Sequence, residues 1–225
     1  MLTAVASRLG PLLDELTLVG GCTAGLLITD PGAARVRPTL DVDLVVEAAT
    51  YVQYEVFGRR LEERGFRRSS RRGDPLCRWT LEEFVIDVMP LDERVLGFSN
   101  RWYSSALRSR VAQRLPSGLV LHHVDAPHFV ATKLEAFASR GEDDFVASHD
   151  LEDTVLVIDG RTGIEEEVAN SSSELRAFVA QALRRCLADR FFVEAIPGFY
   201  SDRLEGRARS RIVVERMHSI IQFAG

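Results

Sequence analysis

Lysine is all but missing from this chain: of 28 basic residues only Lys133 is a lysine, and the rest are arginines. Where arginine meets every generic need for positive charge, a single lysine either marks a place that wants a compact ammonium or is a chance survivor. Cysteine is nearly as scarce. Cys22, Cys77 and Cys186 are odd in number, far apart and without a CxxC pair, which excludes a disulfide framework and a structural zinc site. Apolar runs are short, none approaching the ~18–20 residues needed to span a bilayer. The opening MLTAVASRLGPLLDEL has no basic n-region and carries Asp14 and Glu15, so no signal peptide is expected. These absences point to a soluble, cytoplasmic protein with no membrane partner. Excess positive charge is lacking too: the formal net charge is −5, so bulk charge does not mark a nucleic-acid binder.

What is present suits one large domain or a catalytic domain with a helical appendage: 225 residues, 46% of them hydrophobic. Apolar spacing predicts a helix over 2–14, interrupted in pattern by Pro11, and a strand at 16–19 running into Gly20-Gly21. A helix start follows at 24–28, then a turn at Asp30-Pro31-Gly32 and a β-branched strand at 40–46. Thr50 caps a helix that runs through Arg64 and ends at Gly65. A polar loop covers 67–75, and 76–81 with 84–89 form a hairpin around Glu82-Glu83. A helix is expected over 100–115 and a strand over 119–124. From 127 the pattern is helical, over 127–140, 148–159, 171–190 and 206–222, with a Pro-Gly break at 197–198. The fold class is therefore α/β of the α+β type, a mixed sheet with flanking helices followed by a helical C-terminal part, with domains at 1–125 and 126–225.

The chemistry concentrates in acids and glycines. Asp41 and Asp43 stand two apart on one predicted strand, so both carboxylates leave the same face. Two aligned acids repel unless a cation lies between them, and a hard divalent ion such as Mg²⁺ prefers oxygen ligands. Asp87 interrupts the apolar strand Val85-Ile86-Asp87-Val88-Met89. Three carboxylates on adjacent strands can hold two metals ~3.5–4 Å apart. A lone DxD is also common as a solvated strand edge. Gly20 and Gly21 sit between strand and helix, where backbone N–H groups can meet a triphosphate. Thr23 can add a hydroxyl, and Cys22 reads as a packing residue rather than a nucleophile.

The order strand–GG–helix, DxD strand and later Asp strand, here LVGGCTAGLL, RPTLDVDLVV and FVIDVM, resembles DNA polymerase β-like nucleotidyltransferases. The downstream block FVATKLEAFASRGEDDFVASHDLEDTVLVIDGR is similar to the AbiEii/AbiGii toxin group, with Lys133, Ala136, Arg140, Asp150 and Asp153 at matching positions. Thr154 stands where relatives carry Leu or Ile. The resemblance, over roughly 15–160, implies transfer of a nucleoside monophosphate from an NTP to an acceptor with release of pyrophosphate. It implies catalytic roles for Asp41, Asp43, Asp87, Lys133 and Asp150, with the three strand acids as Mg²⁺ ligands. It also implies NTP contacts from Gly20, Gly21, Thr23, Arg37 and Lys133. Asp150 would orient Lys133 or the acceptor, though an acid in the first turn of a helix is stabilising on its own account. Arg37 reads equally as a surface arginine. The acceptor class implied is RNA, such as tRNA, or protein, with an antitoxin as partner.

Other features are read more plainly. The arginines at 59, 60, 64, 67, 68, 71 and 72 can track an RNA backbone or form a solvated face, and the latter is favoured. His122, His123 and His128 lack metal-ligand spacing. Trp79 and Trp102 fit a core better than a base-stacking surface. Two alternatives stay open: nucleotidylation of a small molecule such as an aminoglycoside, and a non-catalytic nucleotide-binding regulatory module.

Overall fold

The computed structural model describes residues 1–34, 36–140 and 144–223, with Arg140 described in its backbone only. In chain order it contains α1 (Leu2–Leu9), a 3₁₀ segment (Gly10–Glu15), β1 (Leu16–Val19), α2 (Gly21–Leu27), β2 (Asp41–Val46), α3 (Tyr51–Glu63), β3 (Arg67–Arg68), β4 (Arg78–Leu81) and β5 (Phe84–Pro90). Then follow α4 (Glu93–Leu96), α5 (Tyr103–Arg108), β6 (Val111–Arg114), β7 (Val120–His123), α6 (Ala126–Arg140) and α7 (His149–Gly160). The chain ends in α8 (Ile164–Ala169), α9 (Ser173–Ala188), α10 (Arg190–Ala195), a 3₁₀ turn (Ile196–Phe199) and α11 (Arg203–Gln222). The class is mixed α/β of the α+β type. Among the described residues, no helix is long and apolar enough to cross a membrane.

Two compact units emerge, one of residues 1–23 with 38–125, the other of 24–37 with 126–225. The segment Ala24–Arg37 therefore groups with the helical half rather than with the sheet. Its reason is local: the Asp30 carboxylate and the Gly32 carbonyl both receive Arg209 of α11, and the Thr29 and Asp30 amides donate to Gly160 at the end of α7.

The first unit is a seven-stranded sheet in the order β3-β4-β5-β2-β1-β7-β6. The β1–β2 pair is antiparallel and the β2–β5 pair parallel, so the sheet is mixed. Trp79, Tyr54, Phe66, Leu61 and Ile86 are fully buried, and the Tyr54 hydroxyl donates to the Val88 carbonyl at 2.8 Å. Tyr54 reaches that core from α3, which begins in a capping box. The Gln53 amide donates to Thr50 Oγ1, and the Thr50 amide donates to Gln53 Oε1. Thr50→Ala removes one side of this reciprocal pair. It should cost about 1 kcal/mol, read as a shift in the urea midpoint at unchanged slope.

Two expected helices are broken. The predicted 2–14 helix stops at Leu9, because Pro11 has no amide to donate and its ring crowds the preceding turn. The predicted 100–115 helix is α5 and then β6. The turn Pro116-Ser117-Gly118, with Gly118 at φ 86°, folds β6 antiparallel onto β7 in the register Val111↔His123 to Arg114↔Val120. Strand pairing there outweighs local helical periodicity.

In the second unit α7 is the central element, with Leu151, Val155, Leu156, Val157 and Ile158 all buried. Asp150, Asp153 and Asp159 are buried with them, so the helix is enclosed on nearly every side and its acids need cationic partners. Its end is closed by Arg216, which donates to the carbonyls of Ile158 and Asp159 at 2.9 and 2.6 Å. The short helix α8 was not expected; its sequence, IEEEVA, buries only Ile164 and Val168.

Candidate functional site

Strand register sets the geometry of the first unit. Val19 on β1 pairs with Asp43 on β2, Asp43 pairs with Asp87 on β5, and Asp87 pairs with Arg78 on β4. Directly paired residues point to the same face of a sheet, and Asp41, two residues before Asp43, shares it. Asp41, Asp43 and Asp87 each offer a carboxylate oxygen, and these atoms lie within 4.8 Å of one another. Asp87 is buried, while Asp41 and Asp43 are half-exposed. A donor set made only of carboxylate oxygens at this spacing fits a hard divalent cation such as Mg²⁺.

The glycine turn lies against this face. Gly20 has φ 67°, in the left-handed region, and a Cβ added there would stand 1.8 Å from Asp43 Oδ2. Only a residue without a side chain lets the turn approach the carboxylate so closely. Gly21 is the first residue of α2. Thr23 does not play the part expected of it: its hydroxyl is fully buried and donates to the Val19 carbonyl at 2.8 Å, tying helix to strand. Cys22 Sγ likewise donates to the Val19 carbonyl.

Sequence reasoning missed Arg78. Its Nε and Nη2 donate to Asp87 Oδ1 and Oδ2 at 2.9 and 2.7 Å, a bidentate fork, and Nη2 also reaches Asp41 Oδ2 at 3.3 Å. On its other edge Nη1 lies 3.5 Å from Asp74 Oδ1, and the Ser69 hydroxyl donates to that same carboxylate. The hydrogen bonds to Asp87, ahead of the opposing cost of burial, hold the guanidinium above the usual arginine range. Asp41 and Asp87 are thus paired rather than bare. Beside them, burial first and the Asp87 charge second push the Cys77 thiol up to about 12, so it is no nucleophile at neutral pH.

The second unit brings together Lys133 and Asp150, with a member the sequence had not given a role. Lys133 Nζ lies 3.1 Å from Asp150 Oδ1 and 2.7 Å from Asp153 Oδ2. Asp150 and Asp153 face α6 together because residues three apart share a helix face. Arg37 completes the cluster, at 3.3 Å from Glu152 Oε2 and 3.8 Å from Asp153 Oδ2. Burial works against the charged ammonium, but Asp153 and Asp150 outweigh it and hold Lys133 above its ordinary range. The Arg140 side chain lies outside the described residues.

Several candidates resolve as local packing. Arg60 forms a fork on Glu15, Arg68 pairs with Glu55 and lies over Trp79, and Arg67 donates to the Glu62 and Phe66 carbonyls. Arg59, Arg71 and Arg72 are exposed. Trp79 and Trp102 are buried, which removes them as open stacking surfaces. His123 and His128 are buried, and His123 Nδ1 is 2.7 Å from the Val124 carbonyl.

No family model matches the chain, and no curated protein is significantly similar to it in sequence. Among solved structures the chain is similar to the crystal structure of JHP933 from Helicobacter pylori. The two are 12% identical with a TM-score of 0.48, over 98% of this chain and 90% of that one.

Proposed function

We propose that this chain is a Mg²⁺-dependent nucleotidyltransferase. An acceptor hydroxyl attacks the α-phosphorus of an NTP, the bond to the departing pyrophosphate breaks, and the acceptor's proton passes to a base. One observation carries the reading: Asp41, Asp43 and Asp87 converge on one sheet face against a glycine turn that a side chain would fill. A divalent ion bound by these carboxylates would lower the acceptor hydroxyl's pKa and offset charge on the phosphate oxygens. Asp43, pressed against Gly20, fixes where phosphate can approach. The free thiols of Cys22, Cys77 and Cys186 suit the cytoplasm, where we place the protein. The RNA or protein acceptor, and a toxin role restrained by an antitoxin, rest on the resemblance of the motifs.

The test is direct. The protein, labelled NTPs, Mg²⁺ and a bacterial extract are incubated together; label should enter a macromolecule, and Asp41→Ala or Asp43→Ala should abolish it. Label confined to small molecules moves the acceptor to that class. Folded protein that transfers no label from any NTP overturns the proposal. In a bacterial host, expression should be toxic for the wild type and harmless for Asp43→Ala.

A further inference from the structure

We propose that Arg78 is the resident cation of the carboxylate site, standing in for a second metal, so that the site takes a single divalent ion. The inference rests on the nucleotidyltransferase reading above and refines it, since the same acids were expected to hold two metals. Arg78 is not a surface side chain that has swung inward. The turn Glu82-Glu83 pairs Leu81 with Phe84, and the ladder then sets Arg78 opposite Asp87. Asp74 grips the far edge of the guanidinium, itself held by Ser69, so the head is fixed from both sides.

Its contacts then divide the acids. Both oxygens of the largely buried Asp87 accept from the guanidinium, and Nη2 extends to Asp41. Two metals ~3.5–4 Å apart need carboxylate oxygens shared between them. An ion bound through Asp87 would have to share an oxygen with a side chain that cannot lose its charge at any ordinary pH. The arginine already supplies what a second ion would: a fixed positive centre that aligns Asp87 and Asp41 and lowers repulsion among the three acids. It acts through those carboxylates and is a positioning residue.

Metal counting decides this without any substrate. The 225-residue chain is titrated with Mn²⁺ by equilibrium dialysis, and the wild type should bind one ion per chain. Arg78→Gln should bind a second ion. Arg78→Lys, which keeps the charge, should return the count to one. Two ions on the wild type, none, or identical binding by Arg78→Gln each overturn the inference. If Arg78→Gln does not fold, Arg78→Met is read in its place, with the same second ion expected and an unchanged count overturning the inference. One bound ion without nucleotide transfer defeats the enzymatic reading alone, and transfer with two bound ions defeats this one alone.

Discussion

Lys133→Met is expected to destabilise the protein by about 3–5 kcal/mol, the usual cost of stranding buried charge. Lys133 is 8% exposed and its partner Asp153 only 1%, so the substitution leaves the Asp153 carboxylate facing a methionine with water largely excluded. Arg37, at 3.8 Å from Asp153, compensates weakly. Lys133→Met combined with Asp153→Asn should recover part of the loss, because the second change removes the stranded charge. Urea unfolding followed by circular dichroism measures both. A Lys133→Met midpoint equal to wild type would refute the buried-pair account. The pH dependence has a definite sign. A lysine whose folded pKa lies above 10.5 contributes stability that is fully present below 10.5 and is lost only as pH rises through the folded value. The Lys133 contribution should therefore be constant through neutral pH and fade in the alkaline range. Any loss of transfer activity in Lys133 variants has to be read beside their stability, since unfolding alone removes it.

Gly20→Ala should disable the proposed transfer reaction by on the order of 10²-fold or more, the scale set by misplacing a reacting group by about 1 Å. Two costs act together. An alanine at φ 67° pays about 1–2 kcal/mol for left-handed backbone. Its Cβ also lands 1.8 Å from Asp43 Oδ2, so either the carboxylate or the turn must move. Gly118→Ala separates the two, because Gly118 has φ 86° with nothing among the described residues within 4 Å of an added Cβ. That control should lose about 1–2 kcal/mol of stability and keep its Mn²⁺ binding, while Gly20→Ala should weaken Mn²⁺ binding as well. Equal metal binding by Gly20→Ala and wild type would show that the turn does not set the position of Asp43.

Part of each cluster was legible in the chain. A period of two on LDVDLVV put Asp41 and Asp43 on one face of a strand, and the predicted helix over 148–159 carried both Asp150 and Asp153. Local periodicity suffices there because both members of each pair ride on one element. Thr50 likewise announced the start of α3, since a cap is local, and Gln53 completes the box in the structure. Arg78 was missed although its signal was present: a two-residue hairpin turn at Glu82-Glu83 leaves one register, and counting back from it meets Asp87. Thr23 was misjudged because a buried hydroxyl finds the nearest carbonyl, and which carbonyl is near depends on how the turn folds.

By itself, then, the sequence determined element type wherever apolar spacing ran uninterrupted, the mixed α/β class, and the facing of acids within each element. Tertiary structure decided the rest. It converted 111–114 from expected helix to edge strand, moved Ala24–Arg37 into the helical unit, and set Asp87 beside Asp43 with Arg78 beyond. The physical reason is range. Facing along a helix or strand follows from neighbouring torsions, whereas pairing between strands distant in sequence depends on competing ladders and burial that no short window contains.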